Sequence, residues 1–229
     1  MNNIEKKIIA IGGGGFTHQL DESLDQFVID QSKIINNKIG FLATASKDDK
    51  KKISLFYKRF ESTKSELSHF NLTSNVNGFS EWMLNKDIVY IGGGNTVFML
   101  EIWKKNKLEH IFKTIYEKGI ILSGVSAGAV CWFDWILSDS VGPGFNTLRG
   151  INLISGSCTP HSSNIERINQ FETDIKNNKL PQGIAIDDGV AVVFIDGKPT
   201  EVYSSRKNHT AYFLDKNKKI NLKEYIKNI

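Results

Sequence analysis

The chain has few cysteines and no cluster of them. Cys131 and Cys158 are the only two among its 229 residues, and neither belongs to a CxxC pair or stands at metal-ligand spacing from a histidine. This usage argues against a disulfide-stabilised fold and against a cysteine–histidine metal site. We expect two buried thiols in a reducing compartment, and we expect neither a metal nor another cofactor.

Long apolar runs are missing as well. The first run extends only over residues 8–11 before four glycines, which is too short for a secretory signal, and no later run approaches the length that crosses a bilayer. The sequence therefore predicts a cytoplasmic protein that has no membrane partner.

A concentrated positive charge is absent too. The formal net charge of +4 arises from lysines scattered among acids and asparagines, without an arginine-rich stripe or a mixed basic and aromatic run. Nucleic-acid binding is therefore not expected, whereas a small anionic substrate is compatible with this charge.

What the chain does contain is an alternation of short apolar runs and amphipathic segments. Its length suits one α/β domain over residues 1–229. Strands are predicted over 7–11, 38–42, 67–72, 88–91, 119–123, 151–154, 184–186, 190–195, 200–203 and 211–214, and helices over 24–35, 53–60, 165–177 and after 222. Because helices separate the early strands, we expect a mostly parallel sheet with helices on both faces.

The carboxyl-terminal part changes character. Asp196-Gly197 lies between two β-type runs, which predicts a hairpin with a type I′ turn and an antiparallel extension of the sheet. The turn-rich stretch 138–144 is predicted to be a loop that could cover a site.

The segment with the most specific chemistry is Gly124-Val-Ser126-Ala-Gly128, which directly follows an apolar strand. A serine at such a strand-to-helix turn projects its hydroxyl beyond the sheet, and the N–H of the next residue, Ala127, can bind an oxyanion. The pattern favours a serine nucleophile for acyl transfer. A structural alternative stays open, in which Ser126 only caps the helix.

Two further glycine turns, at 12–15 and 92–94, each follow a predicted strand. Neither has G-x-G-x-x-G spacing, and no acidic residue ends the second strand to bind a ribose, so dinucleotide binding is disfavoured. Gly93 or Gly94 is the candidate for a second oxyanion donor, with Asn95 and Thr96 capping the helix that follows. The alternative is a pair of tight turns that only pack together.

A serine nucleophile needs a base, and His161 is favoured because it follows a proline at a strand-to-helix junction. His209 is the alternative, since the order Ser126, Asp188, His209 is that of α/β-hydrolase esterases. His69 and His110 are predicted to be structural or surface residues, and His18, which follows the first glycine turn, could line a pocket.

An acid must orient the base. Asp187 and Asp188 end a buried strand just before a glycine, and strand alternation would send one side chain inward and the other outward. Asp139 is a further candidate, either as the orienting acid or as the group that binds a cationic part of the substrate.

Together these segments resemble the peptidase E family of serine peptidases, whose relatives include aspartyl dipeptidase and cyanophycinase. The resemblance follows the chain order: the turn 92–96, the serine motif, the Pro160-His161 pair and the Asp187-Asp188-Gly189 turn. It implies a class I glutamine-amidotransferase-like fold with Ser126 as nucleophile, His161 as base and Asp188 as orienting acid. It also implies oxyanion donors at Gly93 and Ala127. Relatives often carry glutamate as the third member, and Asp187 is the backup to Asp188 here.

The resemblance also bears on the substrate. In the aspartyl dipeptidase branch an arginine beyond the catalytic histidine binds the acidic side chain, but here that stretch is short. Arg167 aligns poorly with that arginine, and Asn164 is the candidate for its place. Strict specificity for an N-terminal aspartate is therefore not expected. Asp139 resembles a family acid suited to hold a substrate amino group, and Asn95 is a further candidate substrate-binding residue.

The expected function is a serine exopeptidase or dipeptidase that acts on small peptides with a free N-terminus. Two alternatives stay open. One is an esterase that uses His209 as base, and the other is a binding module that keeps the fold with an inactive site. A homodimer is compatible with the sequence.

Overall fold

The computed structural model describes residues 4–228, and in the first half strands alternate with helices. The elements of this half are β1 (Lys7–Ile11), α1 (Glu22–Asp30), β2 (Lys38–Leu42), α2 (Lys50–Phe60), β3 (Glu66–His69), α3 (Phe79–Leu84), β4 (Ile88–Ile91), α4 (Thr96–Lys105), α5 (Glu109–Glu117) and β5 (Ile121–Val125). Short 3₁₀ turns follow β1 and β2, at Phe16–His18 and Thr44–Ser46.

The second half is richer in strands. Its elements are α6 (Ala127–Val130), β6 (Phe133–Ser138), β7 (Asn146–Arg149), β8 (Ile154–Thr159), α7 (Ile165–Lys176), β9 (Gly183–Ile186), β10 (Val190–Ile195), β11 (Lys198–Ser204), β12 (Ala211–Leu214), β13 (Lys219–Asn221) and α8 (Leu222–Ile226). Asp196 and Gly197 connect β10 to β11 with φ of 49° and 77°, the paired positive values of the predicted type I′ turn.

Seven strands form the first sheet, in the order β11-β10-β1-β5-β4-β2-β3. The five strands from β1 onward in this order run parallel, and β10 and β11 add an antiparallel edge beside β1. Parallel strands are covered on both faces, and β1, β4 and β5 are buried along their whole length. The predicted α/β class, with a mostly parallel sheet and antiparallel carboxyl-terminal strands, is confirmed.

The sequence pattern predicts one sheet, whereas six further strands form a second one, in the order β13-β12-β9-β8-β6-β7. The sequence pattern does not predict β6, because a charged residue, Asp134, interrupts its aromatic residues. It does not predict β7, because that strand is mostly polar and partly exposed. The run 151–154 mostly precedes the strand it was expected to form, since β8 begins only at Ile154.

Three apolar layers join the sheets and helices. On one face of the first sheet, α1 and α2 enclose an aromatic group in which Phe41 stacks on Phe56. On the other face, α3, α4, α5 and the second sheet surround Trp103, Phe112 and Trp132. Helix α7 covers the outer face of the second sheet. Burying each such side chain contributes about 1.5–3 kcal/mol to the free energy of folding. The loops at the strand ends are therefore attached to a rigid core.

Several predicted boundaries shift. Helix α1 ends at Asp30 rather than at 35, and Ile34 and Ile35 are exposed. Helix α2 begins at Lys50 because the Asp49 side chain caps it, accepting from the Lys51 N–H at 2.7 Å. Helix α3 lies in a stretch where the sequence predicts no element. Among residues 4–228, no helix is both long and apolar enough to cross a bilayer.

Both cysteines are free and buried, as predicted. Burial raises the pKa of the Cys131 thiol and of the Cys158 thiol well above the ordinary value. Thiols of this kind stay protonated and are poor nucleophiles. The chemistry of the chain therefore has to be sought elsewhere.

Candidate active site

Ser126 follows β5 directly and stands in a sharp strand-to-helix turn. Its backbone has a φ of 55° and a ψ of −112°, which a non-glycine residue rarely adopts. The turn is held by the Ser126 N–H, which donates to the Ile11 carbonyl at 2.9 Å. The Ser126 hydroxyl does not cap α6, so the alternative in which it only caps the helix is not realised.

Helix α6 begins so close to β5 that the turn leaves no room for side chains on either side of Ser126. A Cβ at Gly124 would overlap the Gly128 carbonyl, and a Cβ at Gly128 would overlap the Ile91 carbonyl of β4. The two glycines thus let the helix start directly above the strands, which holds the serine at the carboxyl end of the sheet.

His161 lies between β8 and α7, in contact with Ser126. The Ser126 hydroxyl donates to His161 Nε2 at 2.8 Å, and His161 Nδ1–H donates to Asp188 Oδ1 at 2.5 Å. A carboxylate can only accept, so the neutral ring carries its proton on Nδ1 and leaves Nε2 as the acceptor. The His161 N–H donates to the Gly12 carbonyl at 3.3 Å, which fixes the loop. The three side chains form one continuous hydrogen-bonded chain.

Asp188 follows β9 and is half-buried beside the imidazole. Its second oxygen accepts from the Ser163 hydroxyl at 3.1 Å. Burial raises the pKa of Asp188, but the hydrogen bond and charge of His161 and the bond from Ser163 outweigh burial, so the pKa lies below its ordinary value. The carboxylate is therefore ionised near neutral pH.

Gly13, in the turn after β1, packs directly on the His161–Asp188 pair. A Cβ at this position would overlap the Asp188 carboxylate and press on the His161 ring. The Gly13 carbonyl also accepts from the Gly189 N–H at 2.8 Å, just beyond the acid. The first glycine turn therefore forms one wall of the site.

Asp187 faces the opposite way from its neighbour. One of its oxygens accepts from the Ser162 hydroxyl at 2.6 Å, and the other accepts from the Thr210 N–H at 3.1 Å. The residue is only 5% exposed. Asp187 thus joins three segments of the chain, and it is Asp188 that contacts the imidazole.

An arginine–aspartate pair borders the acid from the other side. Arg206 binds Asp21 through its Nη2 at 2.6 Å, and the hydrogen bond from Arg206 is the main reason that the pKa of Asp21 is lowered. The charge of Arg206 also helps to lower the pKa of Asp188. Arg206 thus favours the ionised form of Asp188, whereas the like charge of Asp21 opposes it.

Main-chain N–H groups of the turn after β4 and of the turn at Ser126 are free to donate. Within residues 4–228, the amides of Gly93, Gly94 and Ala127 have no hydrogen-bond acceptor. Gly93 lies next to the serine, because a Cβ built on it would stand 3.3 Å from the Ser126 Cβ. The turn is anchored at both ends, where Gly92 donates to Leu42 and Asn95 donates to Ala45. Donors held this way suit a developing oxyanion.

The predicted substrate-binding residues all have partners within the chain. The side-chain oxygens of Asn95 and Asn164 cap α4 and α7, accepting from Phe98 N–H at 2.8 Å and from Glu166 N–H at 2.9 Å. Arg167 Nη2 donates to Asp139 Oδ2 at 2.7 Å. The Arg167 side chain is 5% exposed and that of Asp139 is 64% exposed, so the carboxylate is the accessible member of the pair.

The remaining histidines lie elsewhere or have other partners. His69 ends β3 and bonds the Tyr57 hydroxyl at 2.8 Å, while His110 and His18 are exposed. His209 is partly buried, and its Nδ1 has no hydrogen-bond partner within residues 4–228. The structure brings His161 to Ser126 and does not bring His209 there.

Sequence reasoning missed four residues around the site. Gly13 was visible in the sequence, since it lies in a run of four glycines after an apolar strand, but its contact with the His161–Asp188 pair was not predicted. Ser163 follows the histidine closely and could have been noted. Arg206 and Lys52 gave no signal, because their contacts with Asp21 and Gly93 join residues distant in sequence.

This geometry can be set beside known proteins. The family model described as peptidase family S51 matches residues 8–202. The chain belongs to peptidase family S51. This is the peptidase E family of serine peptidases, so the predicted family and the predicted enzyme class are both confirmed.

Relatives agree with this family assignment. The chain is 38% identical over 210 residues to an uncharacterized peptidase, YgaJ, of Bacillus subtilis (strain 168), covering 90% of this chain and 91% of that one. Two solved structures share the fold of this S51 peptidase. A peptidase from an acI-B1 Actinobacterium has a TM-score of 0.69 at 15% identity, covering 96% of this chain and 98% of that one. A putative peptidase E protein from Listeria monocytogenes EGD-e has a TM-score of 0.63 at 17% identity, covering 89% and 100%.

Proposed function

We propose that this S51 peptidase hydrolyses dipeptides or other short peptides from a free N-terminus, through an acyl-enzyme on Ser126. One observation carries the proposal. The Ser126 hydroxyl, the His161 ring and the Asp188 carboxylate are joined by hydrogen bonds of 2.8 and 2.5 Å. A serine is a weak nucleophile until a base of this kind takes its proton.

In the proposed mechanism, Ser126 Oγ attacks the scissile carbonyl and its proton passes to His161 Nε2. Asp188 stabilises the imidazolium and holds its Nδ1–H in place. The amides of Gly93 and Ala127 bind the oxyanion of the tetrahedral intermediate, each contributing on the order of 10² to 10³ in turnover. His161 then protonates the leaving amine, and a water that it activates hydrolyses the acyl-enzyme.

Asp139 is the proposed anchor for the substrate's amino group. Arg167 binds its Oδ2, and within residues 4–228 the other carboxylate oxygen has no hydrogen-bond donor, so it can accept from an ammonium group. Because Arg167 pairs with Asp139 and its side chain is only 5% exposed, it is poorly placed to bind an acidic side chain of a substrate. This supports a preference for a free N-terminus over strict selection of aspartate.

The mechanism is tested with a panel of dipeptides, each free or acetylated at its N-terminus. Ser126→Ala should lose about 10⁴- to 10⁶-fold in turnover, since triad members act as a unit. Ser163→Ala, which leaves the Ser126 hydroxyl in place, is the matched serine control. If Ser126→Ala cleaves the panel as fast as the parent, the assignment is wrong.

Two companion measurements address the alternatives. His161→Ala should abolish turnover while His209→Ala retains it, and the reverse result would favour the esterase mechanism. Absence of Ser126 labelling by a fluorophosphonate, together with no cleavage of the panel, would favour the inactive binding module. A cytoplasmic location remains a prediction, which cell fractionation can check.

A further inference from the structure

Lys52 contacts the turn at residues 92–94, which we call the oxyanion loop. Its Nζ donates to the Gly93 carbonyl at 3.0 Å. The ion pairs that lysines form within residues 4–228 do not include Lys52. Burial lowers the pKa of Lys52, although Asp49 acts in the opposite direction. A half-buried ammonium group thus has a main-chain carbonyl as its partner.

The position of Lys52 on α2 is unfavourable for the helix itself. It lies in the first turn, after Lys50 and Lys51, and no acid occupies that turn. Cations at a helix N-terminus oppose the macrodipole. Lys50 and Lys51 project into solvent, whereas Lys52 turns toward the oxyanion loop. The contact with Gly93 is therefore what distinguishes Lys52 from its neighbours.

The peptide group that Lys52 binds also carries the Gly94 N–H. In a trans peptide the carbonyl and the N–H point in opposite directions, so an ammonium on the Gly93 oxygen fixes the direction of the Gly94 donor. A charge-assisted bond also polarises the amide and strengthens its N–H as a donor. Both effects act on the loop that packs against Ser126.

We propose that Lys52 is a positioning residue of the oxyanion loop. Its ammonium group holds the Gly93–Gly94 peptide, directly after the Gly93 amide that the proposed mechanism uses, and adds positive charge behind the free amides of both glycines. This role rests on the proposed function, because it supposes that an oxyanion forms beside Ser126. Negative charge develops there only as the reaction proceeds. Lys52 should therefore stabilise the transition state more than the bound substrate.

The test compares Lys52→Met, Lys52→Arg and the matched control Lys51→Met, which removes the same charge one residue away on an exposed side chain. The substrate is the dipeptide that the parent cleaves fastest, and a fluorophosphonate reports on Ser126 directly. Lys52→Met should lower kcat and the labelling rate about tenfold with KM little changed, as expected for losing one charge-assisted bond. Lys52→Arg should restore most of the rate, and Lys51→Met should match the parent.

Two outcomes overturn the proposal while leaving the function of Ser126 intact. One is a Lys52→Met variant that reacts with the fluorophosphonate and cleaves the dipeptide as fast as an active parent enzyme. The other is a Lys52→Met variant that raises KM only for peptides with a free C-terminal carboxylate and leaves their amides and the phosphonate unaffected, since Lys52 would then bind the substrate. A parent that neither labels nor cleaves overturns both this proposal and the proposed function.

Discussion

Two neighbouring hydrogen-bonded pairs connect the loop after β8 to the two aspartates that follow β9. His161 pairs with Asp188, and the next residue, Ser162, pairs with Asp187. The first pair is partly exposed, and its His161 contacts Ser126. The second pair is buried, and its Asp187 accepts from the Thr210 N–H. Chemically identical carboxylates thus differ only in what surrounds them.

The surroundings of each aspartate, rather than its residue type, decide its role. Asp188 bonds a titratable ring and feels the charge of Arg206, so its carboxylate can stabilise a proton that this ring takes up. Asp187 accepts hydrogen bonds from a hydroxyl and a main-chain amide. These donors fix its position, and neither takes up or releases a proton near neutral pH. We expect the outward pair to govern turnover and the inward pair to govern stability.

The largest effect should come from Asp188→Asn. An amide at this position can stabilise the wrong tautomer of His161, which lowers kcat on the order of 10⁴-fold in a triad of this kind. Steady-state kinetics and a urea melt on the same preparations measure both properties. A variant that keeps its turnover but unfolds early would reverse the assignment of the two pairs.

Gly13→Ala should follow in size. The added methyl overlaps the Asp188 carboxylate and pushes on the ring, and a displacement of roughly 1 Å costs about 10²-fold in rate. Gly78→Ala is the control, because a Cβ there meets nothing within 4 Å; its φ of 76° strains the start of α3 and not the triad. Equal kinetic losses in both variants would remove the special role of Gly13.

Asp187→Asn should behave in the opposite manner to Asp188→Asn. The buried hydroxyl and amide that Asp187 satisfies would lose a charged acceptor, so we expect a loss of about 1–3 kcal/mol in the free energy of unfolding. Turnover of the folded fraction should change little. A kinetic defect as large as that of Asp188→Asn, at unchanged stability, would contradict the comparison.

The pH dependence of stability sharpens the same contrast. The pKa of Asp188 is lowered in the folded state, so its ionised form stabilises the fold above the unfolded pKa of about 3.9, and this contribution is lost as the pH falls through the folded value. The stability gap between the parent and Asp188→Asn should therefore shrink in this acidic window. Ser126→Ala, which keeps the ionisable pair, should show the parent's profile in chemical denaturation.

The smallest effect is expected from Ser163→Ala. Its hydroxyl supplies one hydrogen bond to the second Asp188 oxygen, and its loss should slow turnover by about threefold. Losing that bond also moves the pKa of Asp188 upward. Measuring kcat for this variant and the parent side by side would detect the change. An unchanged kcat would mean that only the Asp188 oxygen bonded to His161 matters for turnover.

Much of the first half of the fold follows from local pattern. The apolar strands β1, β2, β4 and β5 are buried on both faces, and such runs are visible in a single sequence. The second sheet is less visible, because β7 and β8 are partly exposed and mix small and polar residues. Pairing between strands far apart in sequence leaves no local signature.

The site divides in the same way. Ser126 and His161 stand in motifs that their own neighbours define, and strand alternation predicted that one of the two aspartates faces inward. Which one faces the histidine depends on the register of β9 against β8 and β12, which strand alternation alone does not give; the family resemblance implied Asp188. The contacts of Arg206 and Lys52 needed the folded chain.

The main-chain bonds of the first glycine turn have a consequence for folding kinetics. The Gly12 and Gly13 carbonyls accept from the amides of His161 and Gly189, which the chain supplies much later, and β1 lies between β5 and β10. Closing such distant contacts is slow relative to forming local helices. During synthesis, no catalytically ordered site can therefore exist until β10 has been made and docked, so a ribosome-bound, unfinished chain should carry helices and no peptidase activity.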